Sequence, residues 1–249
     1  MITEELLLEV NKLKILAIDS SGTAVSASLA DDEKIIAEYA LNFKITHSQT
    51  LMPAVDSIIK ASNFDIKELD YIACTSGPGS FTGLRIGAAA AKGLAHGLGI
   101  NVIGVPTLEA LAYNIFETDK IICSIMDARR SQVYNAFYEF NDGRLSEIYP
   151  QEARSIDDVL LKAAGFDRKV IFLGDAVPVY KEKILSLSNA VLAPQHCNIQ
   201  RAASVAALAF VYAKEGKITA YSDFAPFYLR KSQAERELEE KRTAEVLGK

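Results

Sequence analysis

Basic residues are outnumbered in this 249-residue sequence: 27 lysines and arginines stand against 32 aspartates and glutamates, for a net charge of −5 and a pI near 5.4. A protein that binds nucleic acid by itself draws most of its affinity from phosphate neutralisation and carries a basic surface. The composition excludes that class, so a role beside RNA requires a more basic partner. Cysteine is scarce as well. Cys74, Cys123 and Cys197 are scattered and odd in number, which excludes a disulfide framework and points to a reducing compartment. Cys74 and Cys123 lie in apolar, strand-like runs and read as small core residues. No apolar stretch approaches the ~20 residues that span a bilayer. The first residues place Glu4, Glu5 and Glu9 around Leu6-Leu7-Leu8, whereas a secretory leader needs a basic start and a longer apolar run. These absences describe a cytoplasmic protein with no membrane association.

What is present is an average globular composition, 49% hydrophobic and 24% charged, in a chain long enough for two modest domains. Three strand-like runs open it, at residues 13–19, 24–30 and 34–41, separated by turn residues. Leu51, Val55, Ile58 and Ile59 repeat at helical spacing over 47–62. A strand at 71–75, a helix at 81–97, a strand at 102–105 and a helix at 107–116 follow. The same order then recurs: strands at 121–127, 132–140 and 144–149, a helix at 155–164, a strand at 169–173, a helix near 178–187, a short strand at 190–192 and a helix at 201–214. Asn141-Asp142-Gly143 is the clearest hairpin turn. Antiparallel strands followed by alternating helix and strand imply partly parallel sheets with helices on their faces. A βββαβαβ pattern occurring twice is the α/β plan of the two-lobed, ribonuclease H-like sugar kinases and actin-like ATPases. The expected units are a first lobe at 13–106, a second at 107–222 and a C-terminal segment with a charged tail at 223–249.

The segment Ser76-Gly77-Pro78-Gly79-Ser80-Phe81-Thr82-Gly83-Leu84-Arg85-Ile86-Gly87 joins a strand to a small-residue helix. Such a turn can bind an anion at exposed helix amides or hold a partner closely. It matches neither the Walker A spacing nor the dinucleotide fingerprint. Ser80 lacks the Gly-x-Ser-x-Gly elbow of a nucleophile, which argues against a protease. Asp19-Ser20-Ser21-Gly22-Thr23 ends the first strand, and either shapes a tight turn or sets a carboxylate beside hydroxyls and amides for magnesium and phosphate. Gly174-Asp175-Ala176 is an ordinary loop or an adenosine-binding turn. Arg85 either pairs with a carboxylate or anion near the glycine loop or is a surface charge, Arg129-Arg130 either face the cleft or are solvated, and His47 reads as a cap or surface residue.

Asp19-Ser20-Ser21, His47-Ser48 with Leu51-Met52-Pro53, the glycine segment 77–87, Asp127-Ala128-Arg129-Arg130 with Val133-Tyr134, and Tyr228-Leu229-Arg230 resemble the TsaB family, over residues 13–237. That family is the glycoprotease-like, YeaZ-like group supporting transfer RNA threonylcarbamoylation. The resemblance implies a non-catalytic subunit that pairs with TsaD, associates with TsaE and touches transfer RNA only indirectly. The implied product is N6-threonylcarbamoyladenosine, on the adenosine next to the anticodon of transfer RNAs reading codons that begin with adenine. It also implies a homodimer when TsaD is absent.

TsaD itself resembles a chain with His-x-x-x-His after the strand matching 102–105, where two histidines on one helix face share a metal. Thr107 and Leu111 stand there in this chain, and His47, His96 and His196 are far apart, so no metal site is expected. Gly83, Gly87, Ala91 and Ala95 form an i, i+4 line that packs on the chain's own sheet or against a second subunit. The expected partner interface comprises Leu51, Met52, Val55, Phe81, Gly83, Leu84, Gly87 and Ala91. Asp19, Ser20, Ser21, Gly77 and Gly79 are candidate nucleotide contacts, for weak ATP, ADP or magnesium binding and no required cofactor. The alternative function is a nucleotide-dependent phosphotransferase or ATPase acting in the chain's own cleft.

Overall fold

A computed structural model describes residues 12–43 and 46–230. The expected charged tail at 232–249 lies outside the described residues. The first sheet runs β3-β2-β1-β4-β5, built from β1 (Lys14–Asp19), β2 (Val25–Asp31), β3 (Ile35–Leu41), β4 (Tyr71–Gly77) and β5 (Asn101–Pro106). The second repeats this order as β10-β9-β6-β7-β8, from β6 (Ile121–Asp127), β7 (Gln132–Asn141), β8 (Arg144–Ser155), β9 (Val170–Leu173) and β10 (Ala190–Leu192). In each sheet the first three strands are antiparallel and the later ones parallel. The duplicated two-lobed α/β plan is thus the observed one.

Both faces of each sheet are covered, which is why the central strands read as unbroken apolar runs. Alternation along β1 sends Leu16 and Ile18 to a core shared with α1 (His47–Ser62) and α2 (Phe81–Leu98). Ile15 and Ala17 face the opposite core, shared with α6 (Ala202–Lys214). In β6, Ile121, Cys123 and Ile125 face α4 (Ile156–Ala164) and α5 (Val177–Leu185), while Ile122 and Met126 face α3 (Thr107–Ala112). Leu108 and Leu111 of α3 are buried in that second-lobe core, and α3 touches α6. The helices α3 and α6 therefore lie between the two sheets.

Several boundaries differ from expectation. The helix from Thr107 stops at Ala112, and β8 continues past Pro150 to Ser155. Proline is tolerated there because β8 is an edge strand, and the register against β7 shifts beside it. Asp142 and Gly143 both have positive φ, 49° and 74°, the geometry of a tight primed turn. The chain also returns to the first lobe earlier than its sequence suggests. Although α6 falls in the expected 107–222 unit, it packs on β1, β2 and β5. Thr219 then bridges to Val102, and Phe224 is buried in the first-lobe core.

Candidate functional site

The glycine-rich segment is consumed by contacts within the chain. A Cβ on Gly83 would lie 2.0 Å from the Ser20 carbonyl oxygen, and one on Gly79 2.4 Å from that of Ser21. The start of α2 is thus pressed against the turn after β1, where only glycine lets two backbones meet so closely. Hydrogen bonds fix the approach: the Ser80 amide donates to the Ser21 carbonyl at 2.7 Å, and the Ser20 hydroxyl to the Gly83 carbonyl at 2.8 Å. Ser80 is the N-cap of α2, its hydroxyl accepting from the Gly83 amide, a helix-starting role. Gly77 has φ +113°, and a Cβ there would meet the Phe227 carbonyl oxygen at 2.3 Å.

This geometry corrects most of the expected partner interface. Leu51, Val55, Gly83, Leu84, Gly87 and Ala91 are all buried inside the first lobe. Gly87 faces the Ser20 hydroxyl and the Cys74 sulfur, so its small size serves the chain's own packing. Met52 is exposed, and Phe81 reaches the surface, stacked on Tyr228 at 4.5 Å between ring centroids and under the Arg85 guanidinium at 4.1 Å. On roughly the opposite face of α2, a second small-residue line points outward. Ala89, Gly93 and Gly97 are exposed, and a Cβ on Gly93 or Gly97 would meet nothing within 4 Å among the described residues. Ile86, Ala90 and Leu94 border that line, half-buried.

The nucleotide candidates are similarly turned inward. Asp19 is 1% exposed, and its Oδ1 accepts the Ser21 amide at 2.8 Å, the Ser21 hydroxyl at 2.6 Å and the Thr75 hydroxyl at 3.1 Å. Burial pushes the Asp19 carboxyl above its ordinary range, against the opposing pull of those donors. Ser20 and Ser21 are buried too. All three donors fall on Oδ1, and with the Ser20 bond to Gly83 they give Asp19, Ser20 and Ser21 a structural part in holding the turn.

A cleft of about 1140 Å³ opens beside the turn, between the lobes. Ser21, Gly22, Thr23 and His47 line it from the first lobe, Asp127, Arg129 and Asp175 from the second. His47 holds the base of α1 to the turn, its Nε2 lying 2.9 Å from the Gly22 carbonyl oxygen. Asp127 bonds the Arg129 amide at 2.8 Å, and the Arg129 guanidinium lies 3.5 Å from the same carboxylate. Asp175 accepts the Asp127 amide at 3.0 Å and the Gln200 side-chain amide at 3.4 Å. Burial raises its pKa, and the neighbouring Asp127 charge adds to the rise.

Two contributors carry no local signal in the sequence. Gln200 is buried at the foot of the cleft, brought there by the path of the chain into α6. Residues 219–230 form a strap running back along α2. Lys92 donates to the Ser222 and Phe224 carbonyls, the Phe227 amide to Ser76, and the Arg230 guanidinium to the Ala128 carbonyl across the cleft mouth. Tyr228-Leu229-Arg230 was visible as a motif, but its placement follows from long-range contacts.

Thr107 and Leu111, at the positions compared with the histidine pair, are both buried core residues. Among the described residues, no group of three or more His, Cys, Asp or Glu side chains is arranged to hold a metal. Likewise, no described helix is long and apolar enough to cross a membrane.

Comparison with known proteins follows this geometry. A family model described as "TsaD: tRNA N6-adenosine threonylcarbamoyltransferase" matches residues 34–238. The tRNA threonylcarbamoyladenosine biosynthesis protein TsaB of Bacillus subtilis (strain 168) is 38% identical over 172 residues, which is 69% of this chain and 75% of that protein. TsaB of Escherichia coli (strain K12) is 36% identical over 129 residues, 51% of this chain and 55% of that one. The solved structure of YeaZ from Pseudomonas aeruginosa superposes with a TM-score of 0.77 at 24% identity, over 87% of this chain and 100% of that one, and so shares the fold. The chain belongs to the TsaB family of tRNA threonylcarbamoyladenosine biosynthesis proteins.

Proposed function

We propose that this chain is the non-catalytic partner of TsaD in forming N6-threonylcarbamoyladenosine next to the anticodon, and that it acts by docking. The observation that carries this reading is the outward line of Ala89, Gly93 and Gly97 on α2, with open space beside both glycines. Each exposed helix-interior glycine costs about 1 kcal/mol relative to alanine. Among the described residues nothing uses the room they leave, so a second helix arriving at close range is the natural occupant. The half-buried Ile86, Ala90 and Leu94 supply apolar area around that line, and Met52 on α1 is a further exposed apolar side chain. The match to a TsaD-type model supports a partner of similar architecture, presenting an equivalent pair of helices. In its absence a second copy of this chain takes the same face, giving a homodimer.

The net charge of −5 supports transfer RNA contact through the partners alone. TsaE joins the pair, and the assembly works in the cytoplasm on its RNA substrate. Any ATP, ADP or magnesium bound in the chain's own cleft is weak and not required. The second reading, a phosphotransferase or ATPase, is favoured only by the 1140 Å³ cleft and is opposed by the burial of Asp19, whose Oδ1 is held by its own turn. Light-scattering mass measurement on the purified chain, alone and with TsaD, tests the first reading. A homodimer converting to a one-to-one complex supports it; two proteins eluting unchanged would overturn it. ATP hydrolysis by the chain alone that is lost in Asp19→Asn would favour the second reading instead.

A further inference from the structure

Residues 198–202 carry the chain from the second lobe to the first. On one side, the Asn198 side chain accepts the Gly174 amide at 3.1 Å, and Cys197 is buried in the second-lobe core. On the other, the Ser26 hydroxyl donates to the Gln200 carbonyl at 3.3 Å and accepts the Ala202 amide at 2.9 Å, and Ala202 enters the first-lobe core. Gln200 stands at the crossing and is 1% exposed.

Its side chain repeats the connection. The amide lies flat against Gly22, where a Cβ would fall 2.3 Å from its carbon and 2.4 Å from both its nitrogen and oxygen. The same amide nitrogen donates to Asp175, which also receives the Asp127 amide and faces the Thr23 amide of the first lobe. Gln200 Oε1 is buried without a hydrogen-bond partner among the described residues. A buried oxygen left without a donor is costly, so an apolar residue would be favoured here unless the amide served a purpose.

We propose that Gln200 is an interlobe latch: its amide clamps the Gly22 turn of the first lobe to the Asp175 turn of the second and sets how far the cleft opens. The latch acts within one chain and stands or falls independently of the docking partner.

The test places spin labels at exposed Lys34→Cys and Asp167→Cys, one on each lobe; Cys74, Cys123 and Cys197 are buried and stay unlabelled. The distance distribution is expected to be narrow with Gln200 intact and broader in Gln200→Ala. Gln200→Asn, one methylene shorter, is the milder variant should the alanine form fail to fold, and it broadens the distribution less. A second arm is a thermodynamic cycle. Gly22→Ala is expected to lower the melting temperature with Gln200 present and to have little effect in the Gln200→Ala background. An unchanged distance distribution, or an equal Gly22→Ala penalty in both backgrounds, overturns the latch.

Discussion

Gly93 separates folding from docking. In Gly93→Ala the new methyl meets no atom of the described residues within 4 Å, at an exposed position inside α2. Only the backbone term remains, a gain of about 0.8–1.0 kcal/mol in helix propensity. For a protein of this size that corresponds to a rise of about 2–4 °C in melting temperature. Gly83→Ala gains the same propensity, but its methyl would sit 2.0 Å from the Ser20 carbonyl oxygen, a backbone atom held by the neighbouring turn. Overpacking costs about 1–3 kcal/mol, and so short a contact belongs at the upper end. A net loss of about 2 kcal/mol is expected. Gly93→Leu is expected to keep the monomer folded yet fill the space into which the proposed partner helix would dock. The same overpacking range, now at the proposed interface, is expected to weaken TsaD binding about 5- to 150-fold. Thermal melts and titration calorimetry against TsaD read the two effects. Wild-type affinity in Gly93→Leu, or a Gly83→Ala monomer as stable as the parent, would refute the assignment of inner and outer faces.

Two further perturbations follow from the buried groups. Burial raises the Asp19 pKa in the folded state, so this residue favours folding fully below its ordinary value of 3.8 and loses that contribution as pH rises through the raised value. Urea midpoints for the parent and Asp19→Asn should therefore diverge from about pH 4 upward, with the parent falling relative to the variant; a pH-independent difference contradicts this. Phe224 anchors the strap in the first-lobe core and lies 3.0 Å from where a Gly104 Cβ would be. Phe224→Ala should cost about 3–5 kcal/mol and expose residues 219–230 to proteolysis, whereas a loss below about 1 kcal/mol would show that the strap is not anchored there.

The order of strands and helices was legible because each carries its own period: alternating residues split between the two faces of β1, and Leu51, Val55 and Ile58 fall on the buried side of α1. The duplicated topology followed from that order. The continuation of β8 through Pro150 was not legible, since proline stops a strand unless the strand lies at an edge, and edge position is a property of the assembled sheet. Small residues along α2 announced close packing but not its direction. The line Gly83, Gly87, Ala91, Ala95 and the line Ala89, Gly93, Gly97 look alike in sequence, and only the placement of Ser20 and Cys74 marks the first as the inner one. The same limit hid the hydrogen bonds donated to Asp19 Oδ1 by Ser21 and by Thr75, the latter 56 residues away. It also hid Gln200, whose contacts at Gly22, Ser26 and Asp175 all lie far from it along the chain.

The most direct test of a docking subunit is reconstitution of transfer RNA threonylcarbamoylation from purified TsaD, TsaE and the threonylcarbamoyl-adenylate donor. Modification is expected to fail when this chain is omitted, to return with the parent chain and with Asp19→Asn, and to stay low with Gly93→Leu. Full modification in the absence of the chain would contradict the proposed role outright.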